Sequence, residues 1–140
     1  MSKITREIVK KFVEAFVIKS RRDRMHLITT SKKVRAKLCS RLAHKFIDDL
    51  DMRYVFEIAN FPGEQNRRAT DFLNRFYAKS PDGKCYIISE QKELDDKFLT
   101  IDEVGEELRD DMGTIVIVIP AHLAYYYGEE MKADYILFRE

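Results

Sequence analysis

The sequence predicts an α+β fold, with N-terminal helices packed on a small, mostly antiparallel C-terminal sheet of three or four strands. Three observations carry that expectation. Apolar residues recur at helical spacing from Ile4 to Phe46. From Lys84 onward the pattern shortens to strand alternation and unbroken apolar runs. Pro and Gly punctuate the chain at Asn60-Phe-Pro-Gly63, Pro81-Asp-Gly83 and Pro120. Segregated helices and strands read as α+β. With 140 residues, a single domain over residues 1–140 is expected, helical over about 1–80 and sheet-containing over about 81–140.

Residues 4–20 read as the first helix. Ile4, Ile8, Phe12 and Phe16 are spaced by four, with Val9, Val13 and Val17 on the neighbouring row. That is a wide face to bury. Lys10–Glu14 and Glu7–Lys11 are favourable pairs on the other side. Ser20-Arg-Arg-Asp-Arg24 continues or frays the helix, and Met25–Thr30 fits either state. Thr29, Thr30 and Ser31 offer N-cap oxygens to a second helix over about 32–48. Asp48, Asp49 and Asp51 stand at the wrong end of its dipole and should stop it.

Arg53–Ile58 fits a short strand or a helical turn. Residues 67–79 return to helical spacing with Phe72, Leu73, Phe76 and Tyr77. Cys85–Ile88 is a short strand, followed by a polar loop over 89–97. Thr100 and Glu103 form a capping-box pattern. Ile101, Val104, Leu108 and Met112 then share one helix face, which should end at Gly113. Thr114–Ile119 is apolar at every position after the first, as in a central strand buried on both faces. Leu123–Tyr127 and Ala133–Phe138 complete the sheet.

Net charge is +1, but its distribution is lopsided. Residues 1–45 carry 14 Lys/Arg against three Asp/Glu, and the remainder carries 11 against 21. Lys33, Lys37, Arg41 and Lys45 recur every fourth residue, so they form one ridge on the second helix, with Arg35 and His44 nearby. Three like-charge pairs on that ridge cost about 1 kcal/mol together. An anion should offset this. It is either external, a nucleic acid or an acidic protein, or internal, with Asp48, Asp49, Asp51 and the 106–111 acidic patch as sources. The expected function is therefore a small non-enzymatic binding protein whose basic ridge contacts an anionic partner.

Other constellations are weaker. Pro81-Asp82 followed by Glu90-Gln-Lys92 matches a PD…ExK nuclease pattern on paper. A continuous strand over 84–89, at about 3.3 Å per residue, would hold Asp82 and Glu90 roughly 25 Å apart, too far for one metal ion. His26, His44 and His122 lack metal-ligand spacing, so no metal site is expected. No glycine-rich phosphate loop is present and no cofactor is indicated. Tyr125-Tyr126-Tyr127 should alternate between sheet faces, and can line a pocket, stack bases or fill a core. Cys39 and Cys85 read as reduced, buried thiols. No apolar run reaches a membrane span and the N-terminus has no signal-peptide core, so a cytoplasmic protein with no membrane partner is expected.

Three stretches resemble a recurring set of small uncharacterised bacterial proteins. They are Leu42-Ala-His44 with Asp49-Leu-Asp51 and Arg53; Ile88-Ser-Glu90 with Leu94-Asp95; and Met112–Ile115 through Pro120 to Leu123–Tyr126 and Gly128-Glu129. The resemblance spans about residues 30–130 and implies one intact domain in a bacterial cytosol, without an activity. Asp95-Asp96 stands where those proteins often have Asp-Gly, which weakens the expectation of a tight turn. The resemblance also singles out His44, Asp49, Asp51, Arg53, Glu90 and Glu129 as polar residues without a packing role. An enzyme of hydrolase or nuclease-like type would gather His44, Asp49, Asp51, Arg53 and Glu90 into one cleft. A protein-inhibiting partner of the immunity or antitoxin kind also fits the size and charge.

Overall fold

The computed structural model describes residues 2–31, 41–42, 45–57, 84–107, 112–119, 122–128 and 133–139. The class is α+β. Helix α1 (Lys3–Phe16) and helix α2 (Arg22–Thr30) form the N-terminal part, and a short α3 (Ile101–Glu107) lies between strands. The sheet has six strands: β1 (Val55–Glu57), β2 (Lys84–Ser89), β3 (Phe98–Thr100), β4 (Thr114–Val118), β5 (Leu123–Gly128) and β6 (Ala133–Phe138). Their order is β1-β6-β5-β4-β2-β3, and every neighbouring pair is antiparallel. The expected three or four strands are therefore too few. The two additional strands, β1 and β3, are three-residue edges, too short to show a period. Because β1 pairs with β6, the sheet also draws on the N-terminal half.

α1 begins where Ser2 Oγ accepts from the Thr5 amide at 3.1 Å, an N-cap. Ile8, Val9, Phe12, Val13 and Phe16 are buried as their spacing requires, whereas Ile4 is exposed. The helix stops four residues earlier than expected. Val17 is extended and bridges Leu50, Ile18 N donates to Asp49 O, and Asp51 N donates to Phe16 O. These distant backbone bonds outweigh the local helical pattern. A 3-10 turn at Lys19–Arg21 then leads into α2. Thr30 Oγ1 donates to His26 O, so Thr30 closes α2. Arg41 and Leu42 are helical, but Phe46–Asp49 is a 3-10 turn. A second 3-10 turn, Met52–Tyr54, precedes β1, so Arg53–Ile58 begins as turn and continues as strand.

The sheet buries both faces. One face, with Tyr86, Ile88, Ile115, Ile117, Tyr126 and Leu137, packs against α1, Met25, Leu42 and Phe46. The other, with Cys85, Ile87, Val116, Tyr125, Tyr127 and Ile136, packs with Leu94 and with Ile101 and Val104 of α3. β4 is internal and wholly buried, as its unbroken apolar run required. The capping box forms: Thr100 N donates to Glu103 Oε1 and Glu103 N donates to Thr100 Oγ1. Met112 and Gly113 are not helical. Gly113 serves close approach instead, since a Cβ there would lie 2.7 Å from Glu90 Oε1 and 2.9 Å from the Leu42 carbonyl carbon.

A tight turn does exist at Asp95-Asp96. Asp96 takes φ 61°, a left-handed conformation that Asp tolerates better than most residues. Its amide donates to Ile87 O, and its Oδ1 accepts from Tyr86 Oη at 2.7 Å. No helix of the described residues is long and apolar enough to cross a membrane. The expected helix over 67–79 and the turn at Pro81–Gly83 lie outside the described residues, as does Asp82 of the PD…ExK match.

Candidate anion-binding site

Of the predicted ridge, Arg41 and Lys45 are described; Lys33, Arg35, Lys37 and His44 lie outside the described residues. Lys45 is exposed. Arg41 is not a free surface cation. Its Nε and Nη2 both donate to Asp49, at 2.8–2.9 Å. Asp49 is 2 % exposed and also accepts from Arg21 Nη1 at 2.7 Å. For Arg41, then, the internal source of anion is the correct one. A carboxylate this buried requires paired charge, and two arginines supply it.

Two arginines around one aspartate leave an excess, and Arg24 adds to it. Arg21, Arg24, Met25, Arg41 and Asp49 line a recess of about 140 Å³. Among the described residues, Arg24 has no ion-pair partner. The sequence held a signal for this site in Ser20-Arg-Arg-Asp-Arg24, three arginines within four residues, but gave no sign that Asp49 folds in beneath them.

A second recess, of about 570 Å³, lies between α1 and α2. Lys10, Glu14, Lys19, Arg22, Asp23 and His26 line it. The predicted Lys10–Glu14 pair is not made, and among the described residues Lys10 and Lys19 have no ion-pair partner. Arg22 Nε donates to Val17 O. With about 100° between successive residues, Asp23, Arg24 and Leu27 project outward from α2 while Met25 turns into the core. The two recesses flank that outer ridge on opposite sides.

The polar residues of the alternative cleft divide. Asp49 is held by Arg21 and Arg41. Asp51 pairs instead with Arg53, at 2.6 Å, and that hydrogen-bonded guanidinium holds its carboxyl below the usual range. Beside them, the guanidinium groups of Arg53 and Arg139 both lie over the Tyr54 ring. Glu90 lies against Gly113, near Leu42. Tyr126 Oη donates to Leu42 O at 2.6 Å. Burial pushes the Tyr126 hydroxyl pKa up, and Tyr135, Glu90, Asp49 and Asp48 push it further in the same direction. Among the described residues, no three His, Cys, Asp or Glu side chains converge as a metal site. Tyr125, Tyr126 and Tyr127 alternate between faces as expected, but all three are buried and offer no stacking platform. His122 is exposed, and its carbonyl accepts from Arg139 N.

No protein-family model, curated protein or solved structure matches this chain.

Proposed function

We propose that this chain is a small non-enzymatic binding protein of a bacterial cytosol that contacts nucleic acid through α2 and its flanks. The observation that carries the reading is the pair of cation-rich recesses on opposite sides of one exposed helix. A protein that meets phosphates on both flanks of a helix needs this arrangement, and counterion release then drives association. Lys45, exposed and with its amide donating to Arg41 O, adds a cation one turn beyond Arg41. The acidic remainder of the chain turns the basic face toward a polyanion and repels it elsewhere.

Fluorescence anisotropy with duplex DNA, single-stranded DNA and RNA tests the reading. With four phosphate contacts, log K should fall with log salt at a slope of about −3 to −4. Lys10→Glu with Lys19→Glu should flatten that slope. Absence of binding to every nucleic acid at low salt overturns the proposal. Binding of polyglutamate with equal affinity also overturns it, and points to an acidic protein instead.

A further inference from the structure

We infer that the recess of Arg21, Arg24 and Arg41 seats a terminal phosphate, the phosphomonoester at the end of a nucleic-acid strand. The inference rests on the nucleic-acid reading and narrows it to one end-group.

Size supports a single group. The recess holds about 140 Å³, below the roughly 300–1,000 Å³ of sites that enclose a whole small molecule. A nucleoside does not fit inside, but one tetrahedral oxyanion does.

Charge favours the end over the middle of a strand. An internal phosphodiester carries one negative charge and must let the chain leave in two directions. A terminal phosphomonoester carries close to two near neutral pH and has one substituent. Three guanidinium groups against one carboxylate leave an excess of two positive charges.

Preorganisation supports recognition rather than loose attraction. Asp49 takes Arg41 Nε and Nη2 and Arg21 Nη1. Arg21 Nη1 also donates to Asp48 O. Among the described residues, Arg41 Nη1 and the Nε and Nη2 groups of Arg21 meet no acceptor, which leaves them for a ligand on side chains already held. Arginine forks match phosphate oxygens in pairs. Asp49 is thus a positioning residue. Arg24, exposed and without an ion-pair partner among the described residues, completes the seat from its rim. The recess across α2 has a larger volume, two acidic side chains and no such fork, which suits passing contact with a strand.

The test compares short oligonucleotides of one sequence with 5′-phosphate, 3′-phosphate or hydroxyl ends, bound to the full chain at fixed salt. One phosphorylated end should bind about tenfold tighter than hydroxyl ends. Arg24→Gln, a change at an exposed side chain outside the Asp49 ion pairs, should weaken the phosphorylated oligonucleotide about tenfold more than the hydroxyl-ended one, which abolishes that preference. Asp49→Asn adds net positive charge, so charge alone predicts tighter binding of every oligonucleotide; a positioning role predicts loss of the end preference.

Equal affinity for all three ends overturns the inference and leaves the broader reading standing. If no oligonucleotide binds, the broader reading and the assignment to a strand end both fall, and inorganic phosphate then tests the oxyanion seat alone. A rise in Tm with phosphate that Arg24→Gln removes supports an oxyanion seat, and no rise overturns it. Equal binding of a phosphoserine peptide overturns the assignment to a nucleic-acid end.

Discussion

Arg41 and Asp49 form a two-pronged ion pair in which both Nε and Nη2 of the guanidinium reach a carboxylate that is 2 % exposed. Arg21 adds one contact to the same carboxylate from a more exposed position. Removing either arginine leaves Asp49 with less compensation, but by unequal amounts. Arg41→Ala should cost about 2–3 kcal/mol and Arg21→Ala about 1 kcal/mol. Urea denaturation of the two variants checks the order; equal losses would mean that the fork adds nothing over a single contact.

Gly113 is required for space. An added Cβ would meet Glu90 Oε1 at 2.7 Å, Leu42 Cβ at 2.8 Å and the Leu42 carbonyl carbon at 2.9 Å. Two of those atoms belong to a residue whose backbone is pinned by Tyr126. Gly113→Ala should therefore destabilise by about 1–3 kcal/mol through overpacking, measured as a lower urea midpoint with unchanged m-value.

At Asp96 two effects oppose each other. Its φ of 61° favours glycine, but its carboxylate accepts from the Tyr86 hydroxyl. Asp96→Ala keeps the backbone strain and loses the bond, so a loss of about 2 kcal/mol is expected. Asp96→Gly relieves the strain and should lie within about 1 kcal/mol of the parent chain. A thermal melt in which Ala equals Gly would remove the backbone argument.

Burial pushes the Cys85 thiol pKa up from 9.0 to about 12, and the Tyr126 hydroxyl moves in the same direction. Well below pH 9 both groups are protonated in folded and unfolded chains. Between pH 9 and 12 the unfolded chain releases protons that the folded one keeps, so stability should fall with rising pH. In a Cys39→Ser background, Cys85 should react with a thiol reagent only as fast as the chain opens.

Local periodicity reached the buried stripe of α1, from Ile8 to Phe16, and the central place of β4, because there the side-chain pattern and the packing agree. It missed the end of α1. Val17 continues the apolar row, but its backbone is claimed by Leu50, more than 30 residues away. It also missed β1 and β3, whose three residues are too few to set a period. At the candidate site the cationic residues were visible in the chain as charge, both in the ridge and in Ser20–Arg24. The burial of Asp49 was not, because one aspartate among Asp48, Asp49 and Asp51 reads as solvated until the bridge between Val17 and Leu50 folds it beneath the arginines.

Tyr126 links the sheet to that site. Its hydroxyl donates to the carbonyl of Leu42, the residue next to Arg41, and its ring packs edge-on against Phe46 at 5.1 Å between centroids. Tyr126→Phe keeps the ring and removes the bond, leaving a buried carbonyl with one acceptor contact fewer, so it should cost about 1–2 kcal/mol. Because the lost bond fixes the backbone that carries Arg41, its effect and that of Arg41→Ala should not add. A double-mutant cycle should give a coupling of about 0.5 kcal/mol or more. Strict additivity would mean that the Arg41–Asp49 fork is set by its own geometry and that the sheet contributes nothing to holding it in place.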